Sequence, residues 1–296
     1  MVQGVTRCGR RHGVTAGAIR LSGGPTAHRS RAWIAIVLIA ACAQSAGTAW
    51  PFDAFFDRGA PLWWLQLLAQ GVFIAALLRS PSARAAAGLS WAFATVWLST
   101  TFWWLFIALH TYGGLPALLA VVAIVALAAA LGLYYVLAGA VFWRWRHASA
   151  AMLAAGFAAV WTMAELARGT WLTGFGWGAV GYAHLDGPLA WYLPWVGSYG
   201  VSALAAFGAA ALALLGRKAI VPALGLAALL ALPLIAPTAW NRWTQPTGTL
   251  NVTLLQGNIP QDEKFETGSG VPLALQWYAQ QLQASNTALV VAPETA

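Results

Sequence analysis

Charge is what this sequence has least of. Asp, Glu, Lys and Arg together make up 8% of the residues, and only 8 residues are acidic, where a water-soluble domain carries roughly a quarter charged residues. That scarcity excludes a soluble globular chain of this length. Cysteine is nearly missing as well, with Cys8 in a polar N-terminal stretch and Cys42 inside a long apolar run. Those two settings exclude a disulfide framework. Cys8 has basic neighbours of the kind that lower a thiol pKa, but it lies across the membrane from the polar C-terminal segment, so neither cysteine reads as a nucleophile. The 5 histidines are scattered singly, no pair has metal-ligand spacing, and there is no glycine motif that would cradle a phosphate and no internal repeat. We therefore expect no metal and no cofactor.

What is present is hydrophobic bulk: 60% of residues are apolar and 18 are tryptophan. A bilayer core about 30 Å thick calls for apolar helices of about 20 residues. The sequence offers about seven, over Ala32 to Trp50, Leu62 to Leu78, Gly88 to Leu109, Leu115 to Trp143, Ala148 to Leu166, Val196 to Leu215 and Ala219 to Trp240. The fourth is long enough to tilt or to pass the membrane surface, and Pro222, Pro233 and Pro237 predict a kink in the last. The fold class expected is a multi-pass α-helical membrane bundle followed by the first strands and helix of an α/β domain. Residues 1–31 are expected to be a disordered basic tail, 32–240 the transmembrane domain and 241–296 the start of the polar domain.

The net charge of +8 would suggest nucleic acid in a soluble protein, yet here its distribution follows the spans and excludes that partner. Arg7, Arg10, Arg11, Arg20, Arg29, Arg31, Arg79, Arg84, Arg144, Arg146, Arg217 and Lys218 fall on one side, and only Arg58, Arg168, Arg242 and Lys264 on the other. Basic residues favour the cytoplasmic face. The N-terminus is therefore expected inside, and everything after Trp240 outside. A cleaved secretory signal competes for the N-terminal stretch, through its arginines and Ala41-Cys42-Ala43, but removing the first span would spoil the charge alternation of the others.

Two segments carry the chemistry. The first, from Glu165 to Gly200, mixes glycine, aromatic and ionisable residues, including Trp177 and Tyr182. It is too rich in glycine for one continuous helix. An aromatic interfacial belt explains any single tryptophan there, but Glu165 and Arg168 at i and i+3 near a membrane edge are costly unless paired or functional. The second segment is the polar end. Leu250, Val252 and Leu254 alternate as in a strand, Leu273 to Leu282 predicts a helix, and Ala288 to Val291 a buried strand that ends at Pro293-Glu294. Strand, helix and strand in that order begin an α/β sheet, whose active groups commonly sit at the carboxyl ends of the strands.

These residues resemble the bacterial apolipoprotein N-acyltransferase family. The resemblance is carried by Glu165-Leu166-Ala167-Arg168-Gly169, Leu172-Thr173-Gly174-Phe175, Gly181-Tyr182, Asp186-Gly187-Pro188-Leu189 and Gly197-Ser198-Tyr199-Gly200-Val201-Ser202. Pro51-Phe52-Asp53, Tyr112-Gly113-Gly114-Leu115-Pro116, Gln256-Gly257-Asn258-Ile259-Pro260-Gln261 and Pro293-Glu294-Thr295-Ala296 follow in the same order. It implies an inner-membrane bundle carrying a periplasmic nitrilase-like domain. The implied enzyme moves an acyl chain from a phospholipid donor to the N-terminal cysteine of a diacylated apolipoprotein, as a monomer among membrane lipids. By the resemblance Glu294 is the general base of a Glu-Lys-Cys triad and Phe265 stands where the family has tryptophan; from position in the chain alone, Gln261 is expected to line the site entrance and Trp177 and Tyr182 to border a lateral lipid opening. Neither lysine nor cysteine follows Glu294, so the expectation is a fragment of a longer product, with a truncated relative as the alternative, and in either case a chain that is inactive by itself. A small transporter and a non-catalytic lipid-binding scaffold are the other classes compatible with the bundle. The acidic residues avoid the centres of the expected spans, which counts against the first.

Overall fold

The computed structural model describes residues 25–217, 219–236, 246–259 and 270–293 together with residues 1 and 244, with residues 25–32 and 217 as backbone only. Among the described residues eight α-helices occupy the apolar part: α1 Pro25–Thr48, α2 Trp63–Arg79, α3 Ala83–Thr101, α4 Trp104–Phe106, α5 Ala117–Arg144, α6 Ala150–Thr170, α7 Leu193–Ala213 and α8 Ile220–Ile235. The polar part holds β1 Val252–Leu254, α9 Gly270–Ala284 and β2 Leu289–Val291. Among the described residues, each of the seven apolar runs maps onto one of these helices or, in one case, onto two and the π-helical turn after them.

Ala117–Arg144, Ala150–Thr173 and Pro188–Ala213 are long and apolar enough to cross a membrane, and α3 with Trp104–Tyr112 is a fourth if its bent halves are one span. Trp33–Thr48, Trp63–Arg79 and Ile220–Ile235 are apolar but shorter. At 28 residues, α5 measures about 42 Å at 1.5 Å per residue, well beyond a hydrocarbon core of about 30 Å. Its outer face shows Leu118, Leu133 and Leu137, and α6 adds Met163, all more than 60% exposed. Apolar patches of that extent on a helical surface belong against lipid.

The packing is built on small residues. The backbones of α3 and α5 approach so closely that a Cβ on Gly139 would collide with Ser90, and one on Gly132 would stand 3.1 Å from Thr95 Oγ1. Small residues at helix interfaces allow such approach in membrane bundles, where apolar area alone does not draw helices together. Inside, an aromatic cluster surrounds Trp161: the ring centroids of Tyr135, Trp97, Phe157, Phe73 and Phe93 lie 4.8, 5.5, 5.7, 6.1 and 6.4 Å from it. Trp161, Trp97 and Phe93 are all nearly inaccessible.

Three features depart from the sequence reading. α1 begins at Pro25, before the expected Ala32; proline suits a first helical position because its missing N–H has no partner there anyway. The third apolar run is not one helix: it bends by 56° after α3 and continues through α4 into a π-helical turn, Ile107–Tyr112, a local widening frequent at functional sites. The last apolar run stops at Ile235, with Pro233 inside the helix, since the residue before Pro237 is disfavoured from helical geometry.

In the polar part, β1 and β2 pair in parallel, with Val252 opposite Leu289, Thr253 opposite Val290 and Leu254 opposite Val291. Parallel neighbours need a crossover, and α9 lies in that connection. Leu255, Ala274 and Tyr278 form a small core of their own with Ile259, Trp277 and Val290. Tyr278 Oη also accepts the backbone N–H of Gly257 at 3.1 Å.

Candidate functional site

The segment from Glu165 to Gly200 is organised from the last turn of α6. Glu165 and Arg168 are both helical and wholly buried, whereas the sequence ends the fifth apolar run at Leu166 and sets both residues near a membrane edge. They are not paired with each other: the one ion pair among the described residues joins Arg58 to Asp53 at 3.8 Å on the surface. Glu165 Oε1 instead accepts the Trp161 indole N–H at 3.2 Å and the Val180 backbone N–H at 3.0 Å. Arg168 Nε donates to Tyr135 Oη at 3.1 Å, and its Nη1 donates to the carbonyls of Phe175 and Trp177 at 2.6 and 2.7 Å.

These bonds explain how a glycine-rich stretch keeps one shape. Beyond α6 the chain makes three short 3-10 turns, Trp171–Thr173, Val180–His184 and Pro188–Tyr192. Leu172, Thr173 and Gly174 have φ of 53°, 74° and 77°, a left-handed run that costs of order 1–3 kcal/mol for each non-glycine residue and persists only where the surroundings dictate it. The clamp of Arg168 on Phe175 and Trp177, with the Phe175 N–H returning to the Arg168 carbonyl at 2.7 Å, supplies that constraint. A second anchor is His184, whose Nε2 meets Gln66 Oε1 of α2 at 2.9 Å, while Gln66 Nε2 donates to Gln70 at 3.0 Å. A third is Ser202 of α7, whose Oγ accepts the Gly181 N–H at 2.8 Å. Burial away from water lowers the His184 pKa to about 4, so the ring is neutral at physiological pH.

The result is a rigid shelf that displays aromatic side chains outward. Trp177 is 62% exposed and sets its ring edge-on to Trp104 of α4, centroids 5.7 Å apart. Tyr182, Trp103 and Tyr112 are exposed as well. Of the five residues singled out from the sequence, Trp177 and Tyr182 thus stand on this shelf, while Gln261, Phe265 and Glu294 lie outside the described residues. Chemically the shelf can receive an apolar or amphipathic ligand at its rim. Its buried polar groups hold the loop. The sequence reading gave no individual role to Tyr135, Trp161, Gln66, His184, Ser202 or Trp104, whose roles depend on contacts between distant segments. The one available signal was the spacing of Trp161, Glu165 and Arg168 along one helix face.

Residues 54–211, which include the shelf and the helices beneath it, match the family described as the apolipoprotein N-acyltransferase N-terminal domain. The chain is 47% identical over 293 residues to the apolipoprotein N-acyltransferase of Verminephrobacter eiseniae, covering 90% of this chain and 52% of that protein. Its counterpart from Ralstonia nicotianae is 40% identical over 241 residues, 79% of this chain and 45% of the other. One from Neisseria meningitidis serogroup A is 34% identical over 266 residues, 83% and 50% of the two chains. The chain spans about half the length of the curated relatives it matches. With more than half of its residues inside the matched domain, the chain belongs to the apolipoprotein N-acyltransferase family.

Proposed function

We propose that this chain is the membrane bundle and the opening of the catalytic domain of an enzyme that transfers a fatty acyl chain from a phospholipid to the N-terminal S-diacylglyceryl-cysteine of lipoproteins. The observation that carries this reading is the shelf itself. It lies within residues 54–211 of the matched family domain and leaves Trp177 and Tyr182 exposed, with Trp177 against Trp104; in this reading these rings meet an acyl chain at the edge of the bilayer.

In this reading all seven apolar helices or helix pairs cross the bacterial inner membrane, with the N-terminus cytoplasmic and the segment after Trp240 periplasmic. The arginine distribution supports that orientation. The parallel β1–α9–β2 unit is the start of a nitrilase-like domain, and Glu294 follows β2 by three residues in the sequence. Glu294 takes the proton of a cysteine thiol as the sulfur attacks the ester carbonyl of the donor. A thioester forms, the ester C–O bond breaks, and the proton passes to the departing lysophospholipid oxygen. The α-amino group of the acceptor then attacks the thioester, an amide forms and the thiol is regenerated. Splitting the transfer in this way is ordinary covalent catalysis. Gln261 and Phe265 contribute to the entrance, with Phe265 as an apolar contact for acyl chain or acceptor.

In the full-length protein, Glu294→Gln is expected to abolish the acyl-enzyme thioester, measured by mass spectrometry after incubation with phospholipid, while membrane insertion is unchanged. An undiminished thioester would remove Glu294 from the mechanism.

A further inference from the structure

The first two helices are shorter than the bilayer they would have to cross. Arg79, the last residue of α2, stands 5.1 Å from the Trp33 ring centroid of α1, which brings the pair level at its basic end. From that level neither apolar stretch, Trp33–Thr48 of α1 nor Trp63–Arg79 of α2, exceeds 17 residues. That is about 26 Å at most for a rise of 1.5 Å per residue, against a hydrocarbon core of about 30 Å. With the basic end held at one surface, the other ends stop below the opposite one. Such a mismatch has to be made up by the lipid or by the residues that flank the helices.

The residues that join those short ends are aromatic. The loop is closed on itself: the Trp50 N–H donates to the Ala60 carbonyl at 2.9 Å, the Gly59 N–H to the Trp50 carbonyl at 2.8 Å, and the Leu62 N–H to the Gly47 carbonyl of α1 at 2.8 Å. It therefore cannot reach far from the helix ends. The Trp50 ring meets Phe52 and Phe56 edge-on at 5.3 and 5.6 Å, and its indole N–H donates to the Ala54 carbonyl at 2.7 Å. Phe55 has a left-handed φ of 68° and is 94% exposed, and Phe52 is largely exposed as well. A strained backbone that turns a phenylalanine ring fully outward gains nothing from water. Asp53 and Arg58 pair at 3.8 Å, while Asp57 stays exposed, which suits a segment at the lipid boundary and forbids a deeper one.

We propose that the α1–α2 loop is a membrane anchor, with Phe52 and Phe55 inserted among the upper acyl chains at the end of the bundle away from the arginines. There the rings fill the depth that the two short helices leave, and burial of the Phe55 ring in lipid offsets its strained backbone. The partner is the bulk lipid surface. No lipid molecule is bound individually, and no step of acyl transfer involves the loop. The inference rests on the reading in which α1 and α2 cross the membrane.

The test is the depth of a fluorescent label in the full chain, reconstituted in dioleoylphosphatidylcholine vesicles after Cys8→Ser and Cys42→Ala. A nitrobenzoxadiazole group is attached at Phe55→Cys and, for comparison, at Thr249→Cys in the exposed polar segment. Lipid carrying a nitroxide on acyl carbon 5 is expected to quench the label at 55 at least fivefold more steeply than at 249, and aqueous iodide at least fivefold less steeply. Equal slopes at the two sites overturn the anchor. Phe52→Cys repeats the measurement should a label at 55 disturb the turn. In dimyristoleoyl vesicles, whose core is thinner, iodide should regain the label at 55; a site that stays dry there overturns the account from helix length. Leu68→Cys, on the exposed face of α2, separates the two readings. Quenching there by a nitroxide on carbon 12 with a wet residue 55 sinks the anchor alone, whereas a Leu68 site open to iodide sinks the membrane-crossing of α2 and the anchor with it.

Discussion

His184 shows how a single side chain ties the shelf to the bundle. Its ring is fully buried against Gln66 and its pKa falls from the ordinary 6.5 to about 4. The depressed value means that the folded state holds the neutral ring while the unfolded chain takes up a proton below about 6.5. Stability from this group is therefore full above pH 6.5 and declines as pH falls from 6.5 towards 4, by about 3 kcal/mol at 1.36 kcal/mol per unit. Thermal unfolding of the chain in detergent should show that loss between pH 7 and 4.5, and His184→Gln, which keeps an amide facing Gln66, should flatten it. An unchanged slope in the variant would mean that another group titrates. Little of this was readable in advance. Glu165 and Arg168 announced themselves by their cost in an apolar setting, but the sequence suggested partnership between them. Folding gives each a different set of hydrogen-bond partners, because the loop Phe175 to Val180, which supplies three of them, returns over the helix end, and Trp161 and Tyr135 supply the others from α6 and α5.

At the scale of elements, the positions of the helices were legible because twenty-residue apolar runs have few other uses. Their interruptions were not. The 56° bend after α3 follows Thr101 and Phe102, neither of which breaks a helix, and no proline or glycine marks it. The strand, helix and strand near the C-terminus were legible from alternation and from their bounding polar residues, while their parallel pairing was implied only by the helix between them. Gln261, Phe265 and Glu294 were singled out by resemblance, and local pattern alone would have left Glu294 an ordinary strand-end carboxylate. The α3–α5 interface gives a direct packing prediction. Gly139→Ala sets a methyl against Ser90 and is expected to destabilise the bundle by roughly 1–3 kcal/mol, the usual cost of overpacking. Ser90→Gly removes the obstructing atoms, so the double variant should recover most of the loss in detergent melting curves. Additive losses in the two single variants would show that the helices do not meet at these residues.

For the whole molecule, the orientation of the bundle decides which compartment the polar segment enters. A reporter enzyme fused after Trp240 is expected to behave as periplasmic. Activity of a cytoplasmic reporter at the same junction would reverse the orientation drawn from the arginines. The basic end is also the one that aromatic rings secure: Arg146 lies 3.6 Å from the Trp143 ring centroid, Arg79 5.1 Å from that of Trp33, and the Trp143 indole donates to the Ser80 carbonyl at 2.7 Å. Such cation–π contacts are each worth of order 0.5–1 kcal/mol where exposed.

The parallel pair β1–β2 has a practical consequence. Among the described residues β1 and β2 pair only with each other, so their outward rows of backbone N–H and C=O groups have no strand partner there, and Leu254, Leu289 and Val291 show much of their surface. Parallel sheets are ordinarily covered on both faces, and an uncovered hydrophobic edge recruits strands from other chains. Chains concentrated without a cover for this edge should clump through their polar ends, so light scattering in purified samples would report on the little sheet before it reported on the bundle.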